Sequence, residues 1–151
     1  MAVVRRAEVC WKGNLVHGQG SLSSASSGAY KSLPVTWASR TETADGRTSP
    51  EELLASAHAT CFAMAFSNEL SKTGSEPEEL DVACEVGFDR VDGKWTVQSS
   101  RLTVKGCVPG MDESQFRSIA DQAKDNCPIS RALSGNVSLS VEATLETSVP
   151  A

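Results

Sequence analysis

The side chains best able to do chemistry in this chain are its thiols. Cysteines stand at 10, 61, 84, 107 and 127, with no Cys-x-x-Cys pair and no Cys/His cluster, which argues against a structural zinc site. Two of them have unlike surroundings. Cys61 lies in an apolar stretch one helical turn after His58, on the side shared with Ala57 and Met64. Cys127 stands in Asn126-Cys127-Pro128-Ile129-Ser130, where Pro128 suits the first position of a short helical turn and makes Cys127 its N-cap. Backbone N–H groups and the dipole there favour a thiolate, which is the reactive form of the side chain. On the residues alone three readings stay open. Cys61 and His58 would make a nucleophile–base pair for acyl transfer; the chain could be a non-catalytic redox sensor or ligand binder; or Cys61 packs in a core and Cys127 caps by chance. Cys10, Cys84 and Cys107 fall in strand-like segments and read as small buried hydrophobes.

The element that must position Cys61 is a long helix over residues 49–70. Ser49 is a capping residue, Pro50 fits the first helical position, and Glu52 completes a Ser-x-x-Glu capping box. Lys72, Thr73 and Gly74 supply the ending. From Leu53 to Phe66 nothing is charged unless His58 is protonated, and alanines at 55, 57, 59, 63 and 65 spread around the circumference. Such a helix is expected to be buried on most sides. With only three Trp, one Tyr and four Phe to wrap it, part of its surface is expected at a subunit interface.

At 151 residues one domain, 1–151, accounts for the chain. A net charge of −5 with scattered Lys and Arg argues against nucleic acid or a polybasic membrane patch as partner. No secretory core and no spanning run is present, so the expected location is cytoplasmic.

The other segments read as follows. Val3–Trp11 and Leu15–Ser23 around Lys12-Gly13-Asn14 predict a hairpin, Ser23–Gly28 a loop, and Pro34–Arg40 a short strand. Leu80–Val91 and Lys94–Val108 alternate with period two around the turn signal Asp92-Gly93, though Ser99-Ser100 interrupts the second. Asp112, with Gln115 three residues on, caps a helix whose buried face is Phe116, Ile119, Ala120 and Ala123; a turn over Pro128–Leu133 and a strand over Val137–Leu145 follow. This order predicts an α+β fold with antiparallel sheet.

Pro50-Glu51-Glu52-Leu53, Ala57-His58-Ala59-Thr60-Cys61-Phe62 and the distant Cys127-Pro128-Ile129-Ser130 together resemble the OsmC/Ohr family of osmotically inducible and organic hydroperoxide resistance proteins. His58 and Trp37-Ala38-Ser39-Arg40 are closer to the OsmC branch; Trp11-Lys12-Gly13, Gly18-Gln19-Gly20 and Val108-Pro109-Gly110-Met111-Asp112 also match, so the likeness covers nearly the whole chain. The segment from Ser23 to Tyr30 and the tail after Leu145 match least. The resemblance implies an intertwined α+β homodimer with antiparallel sheets around a long buried central helix and active sites at the subunit interface. It implies a thiol-dependent peroxidase for organic hydroperoxides, with Cys61 peroxidatic, Cys127 resolving, and Arg40 and Glu51 polarising the site. It implies an external dithiol reductant, typically a lipoyl dithiol in the family, and no metal, haem or flavin. One geometric difficulty stands: in a straight helix Glu51 lies roughly 15 Å before Cys61, so Glu51 acts through Arg40 or the helix is broken between them. His58 reads as a satisfied core histidine in preference to a partner of the Cys61 thiolate. Phe62, Met64, Phe66 and Trp37 are candidates for an apolar substrate pocket or, more simply, for core.

Overall fold

The structure, a computed structural model, describes residues 1–147; the last four residues of the weakly matching tail lie outside the described residues. The chain divides into two compact units, Met1–Leu53 and Leu54–Ala151.

In the first unit, β1 (Ala7–Lys12), β2 (Gln19–Ala25) and β3 (Lys31–Val35) form an antiparallel sheet in that order. The predicted hairpin is there, closed by the Gly18 N–H donating to the Asn14 carbonyl (2.8 Å) and the His17 N–H donating to the Asn14 side chain (2.8 Å). β1 is exposed along its whole length, so Cys10 is a surface thiol and not the packed residue expected. The strand expected over Pro34–Arg40 stops at Val35. Residues Trp37–Thr41 form a short helix, α1, because Thr36 and Ser39 make a reciprocal capping box: the Thr36 hydroxyl accepts from the Ser39 N–H (3.0 Å) and the Ser39 hydroxyl from the Thr36 N–H (2.9 Å). Ser39 also donates to the Thr48 carbonyl (3.1 Å), folding the polar loop back towards the start of the next helix.

That helix, α2 (Pro50–Lys72), begins as expected, with the Ser49 hydroxyl accepting from the Glu52 N–H (3.1 Å). It ends at a turn closed by the Thr73 and Gly74 N–H groups, Gly74 taking φ +85°. Past the unit boundary, His58, Phe62, Phe66 and Leu70 recur at the four-residue spacing of one helix face, and all four are fully buried. Ser56, Thr60, Met64 and Asn68 hold the opposite face, where Met64 is 70% exposed. Within one chain the helix is therefore covered on one side, not on most.

The buried stripe packs with the sheet of β4 (Glu79–Val91), β5 (Lys94–Cys107) and β6 (Ser138–Glu146) into the core of the second unit. β4 and β5 turn at Asp92 (φ +50°) and Gly93 (φ +78°), both in the left-handed region that an Asp-Gly hairpin turn uses. Opposite Gly87 and Phe88 the register slips past Gln98, a bulge that reverses the parity of β5. This is the break in alternation at Ser99-Ser100, and it brings Ser100 onto the buried face with Leu102 and Val104. β6 pairs with β5 in parallel, reached through α3 (Glu113–Asn126) and α4 (Pro128–Leu133), so one strand pair departs from the otherwise antiparallel sheets. α3 starts at the expected Asp112–Gln115 capping box and buries Phe116, Ala120 and Ala123. Phe116 closes on Phe66 at 4.9 Å between ring centroids, and its ring lies so near Gly106 that a Cβ there would fall 2.7 Å from it.

His58 is a buried polar group of this core, as are Ser100 and Ser130. Its Nδ1 is 2.6 Å from Ser100 Oγ and its Nε2 2.7 Å from Ser130 Oγ, so both ring nitrogens are satisfied. It is the satisfied core histidine of the sequence reading. Burial lowers its pKa from the ordinary value.

Two outcomes follow from this core. Phe66→Ala removes a ring that touches two other rings and should cost about 3–5 kcal/mol, read as a lower urea midpoint at unchanged m-value. The unfolded chain keeps the His58 proton up to about pH 6.5 while the folded chain releases it at lower pH. Stability is therefore complete above that value and falls as pH drops through it, by at most about 1.4 kcal/mol per pH unit, and His58→Gln should remove that component of the slope between pH 7.5 and 5.5.

Candidate active site

In the second unit the two singled-out cysteines meet. Cys61 reaches them from α2, where it is partly buried. Cys127 is fully buried at the junction where α3 ends and α4 begins: its N–H donates to the Ala123 carbonyl (2.9 Å) and its carbonyl accepts from the Arg131 N–H (3.0 Å). A residue bonded into two helices at once has little freedom, so the position of its sulfur is set by the helix junction.

Pro128 occupies the first turn of α4 as expected, with Cys127 as N-cap. The Cys127 side chain, however, makes no capping bond. The Ile129 N–H donates instead to the Cys61 sulfur, which also hydrogen-bonds the Cys127 thiol. Burial pushes the Cys61 thiol above its ordinary range; the Ile129 N–H pulls the other way, and the neighbouring Cys127 adds to the rise. Of the backbone N–H groups expected beside Cys127, that of Ile129 thus serves Cys61. No disulfide joins them: all five cysteines are free.

His58 sits one turn before Cys61 but is not its base. Its nitrogens are committed to Ser100 and Ser130, so the nucleophile–base pair of the acyl-transfer reading is not formed. The sequence marks Ser100 only by a broken alternation and Ser130 only as part of the Cys127 motif, and neither signal points to His58. A third sulfur ends the same network: Cys84 Sγ is 3.2 Å from Ser100 Oγ and 3.8 Å from His58 Nδ1, with its pKa raised chiefly by burial. Cys107 is buried elsewhere, its thiol 3.5 Å from the Glu78 carboxylate.

The first unit holds the other two candidates. Arg40 projects from α1, and its Nε–H is 3.1 Å from both oxygens of Glu51 while an Nη2–H donates to Oε1 at 2.8 Å. Glu51 is buried and the Arg40 side chain 29% exposed, so the pair is shielded on the carboxylate side. α2 runs unbroken, so the broken-helix alternative does not hold, and the partner of Glu51 is Arg40. Beside them opens a cleft of about 550 Å³ lined by Val9, Trp11, Leu22, Val35, Trp37 and Leu53 among others, with Arg40 as its charged residue. Trp37 belongs to this apolar wall, Arg40 lying 5.8 Å from its ring centroid. Phe62 and Phe66 belong to the core of the second unit, and Met64 to the open face of α2. No helix among the described residues is long and apolar enough to cross a membrane.

Residues 43–142 match the family of OsmC-like proteins. The chain is 34% identical to peroxiredoxin OsmC of Escherichia coli (strain K12) over 139 residues, covering 92% of this chain and 96% of that protein. It is 28% identical over 95 residues to the organic hydroperoxide resistance protein of Xanthomonas axonopodis pv. citri (strain 306), covering 62% of this chain and 65% of that one. Among solved structures, an organic hydroperoxide resistance protein OsmC from Legionella pneumophila superposes with a TM-score of 0.70 at 19% identity, covering 95% of this chain and 99% of that chain. OhrB of Bacillus subtilis superposes with a TM-score of 0.68 at 20% identity, over 92% and 98% of the two chains. With two thirds of its length inside the family profile and a full-length relative at this identity, the chain belongs to the OsmC family.

Proposed function

We propose that this protein is a thiol-dependent peroxidase that reduces organic hydroperoxides, and hydrogen peroxide more weakly, through a Cys61–Cys127 disulfide. The observation that carries the reading is the meeting of Cys61, Cys127 and the Ile129 N–H. The curated relatives support the same chemistry at the level of their names, peroxiredoxin and organic hydroperoxide resistance protein. In the first step the Cys61 thiolate attacks the distal oxygen of ROOH; the O–O bond breaks, Cys61 becomes a sulfenic acid, and RO⁻ takes a proton and leaves as the alcohol. In the second, the Cys127 thiol attacks the Cys61 sulfur, forming the S–S bond and releasing water. An external dithiol, lipoyl in type, then reduces the disulfide by two exchanges and is itself oxidised.

The Ile129 N–H is suited to stabilise the thiolate that the first step needs, against the burial that favours the thiol. Arg40, oriented by Glu51, is assigned to polarising the peroxide, and the apolar cleft beside it suits a hydrocarbon R group better than the small polar hydrogen peroxide. The working unit is a homodimer in the cytoplasm, an assembly consistent with an α2 face that one chain leaves open.

Thiol titration and intact mass after one equivalent of cumene hydroperoxide test the reading. Wild type should lose two thiols, Cys127→Ser should stop at a sulfenic or over-oxidised Cys61, and Cys61→Ser should show no fast reaction; a folded wild type whose Cys61 stays reduced would sink the peroxidase. Arg40→Met should lower kcat/KM for cumene hydroperoxide by about 10²–10³ if Arg40 polarises the reacting oxygen, and by much less if its role is only structural.

A further inference from the structure

α2 and α4 each present two side chains one helical turn apart: His58 and Cys61 from α2, Cys127 and Ser130 from α4. They meet in pairs. At one level the Cys61 thiol interacts with the Cys127 thiol. At the other, His58 Nε2 lies 2.7 Å from Ser130 Oγ. Two helices touching at one point can pivot about it; a second contact about 5 Å along the axis removes that freedom. The imidazole is itself braced, since Nδ1 lies 2.6 Å from Ser100 Oγ on β5. Every member is shut away from water, His58 and Ser100 at 0% and Ser130 at 2% exposure, so no solvent molecule can take over a lost bond without the site opening.

We infer that His58, braced on Ser100, is a positioning residue for the thiol pair: through Ser130 it sets α4, and with it the Cys127 sulfur and the Ile129 N–H, against Cys61. This deepens the two-cysteine reading and rests on it for its meaning in turnover. The strut itself is a statement about geometry and can be tested without peroxide. Disulfide formation in a glutathione buffer consumes one oxidised glutathione and two protein thiols and yields two reduced glutathiones, so its equilibrium constant measures how well the sulfurs are held together.

Ser130→Ala cuts the strut at α4. Ser100→Ala removes a bond of the same kind from the same imidazole but leaves α4 attached. Ser100→Ala also removes the Cys84 contact, so it damages the core at least as much as Ser130→Ala while leaving the thiol geometry its α4 anchor. Equilibrated with oxidised and reduced glutathione and read as the Cys61–Cys127 disulfide by peptide mass mapping, folded Ser130→Ala protein should need a buffer roughly 10- to 100-fold more oxidising than wild type, while Ser100→Ala should shift by much less. In a parallel experiment with one equivalent of cumene hydroperoxide and dimedone, the Ser130→Ala sulfenic acid should be trapped where the wild-type one resolves first. A Ser130→Ala equilibrium equal to wild type, or an equal shift in both variants, overturns the positioning role whatever the peroxide does. A wild type that ignores peroxide while the glutathione equilibria separate as stated would uphold the strut and overturn the peroxidase.

Discussion

The candidate chemistry of the second unit depends on holding together two sulfurs that lie far apart in the sequence, Cys61 on α2 and Cys127 at the start of α4. Neither helix could do it by its own propensity. α2 is fixed by burying Phe62, Phe66 and Leu70 in the core, and α4, only six residues long, has no stability of its own. The short helix is held because Cys127 is bonded into both α3 and α4, and α3 in turn is held by Phe116, Ala120 and Ala123. The sulfur contact is thus a by-product of hydrophobic packing between elements, made definite at the end by a few hydrogen bonds.

Those hydrogen bonds run through a part of the core where their cost is high. Burying an imidazole and two hydroxyls far from water is unfavourable unless every donor and acceptor finds a partner. Among the described residues no buried side-chain nitrogen or oxygen is left without one. Burial also keeps His58 neutral, as a hydrogen-bonding bridge and not a cation. A neutral imidazole carries one N–H and one bare nitrogen, so it can accept from one serine while donating to the other, which is what a bridge between β5 and α4 needs. An apolar side chain of that size could fill the space but would carry no direction.

Legibility in the sequence followed the range of the interaction. The Asp112–Gln115 box, the Asp92-Gly93 turn and the Ser49 cap are each complete within a few residues, and the structure has them where local chemistry puts them. The stretch from Pro34 to Arg40 misled because Val35 and Trp37 look like strand, while Thr36 and Ser39, four residues in all, carry the stronger signal for a helix start. Long-range facts were not legible. The parallel pairing of β6 depends on where α3 and α4 deliver the chain, and period-two alternation is the same for either direction. Ser100 turns inward because of a bulge whose only trace was a broken alternation. That His58 would be a core residue followed from its apolar surroundings, but its partners on β5 and α4 did not. Backbone N–H groups at the start of α4 were expected beside Cys127; that the one on Ile129 serves Cys61 was not legible, because only tertiary packing brings that sulfur to the start of α4.

The electrostatics of the candidate site are less permissive than a list of its residues suggests. Burial raises the Cys61 pKa, and a single backbone N–H opposes that without reversing it. In the first unit Glu51 takes up the Arg40 guanidinium through both carboxylate oxygens, so that pair is close to neutral at a distance. What Glu51 provides is orientation: a guanidinium is planar and rigid, so holding its Nε–H and one Nη2–H fixes the direction of its other N–H bonds. Under the peroxidase reading, then, the pair matters more for aligning an O–O bond and receiving the charge that develops on the leaving oxygen than for making a thiolate in advance. This division of labour fits a thiol held near a second thiol. A permanently ionised Cys61, partly withdrawn from water, would cost stability in every resting molecule, whereas a group stabilised only as the bond breaks costs little until the reaction occurs.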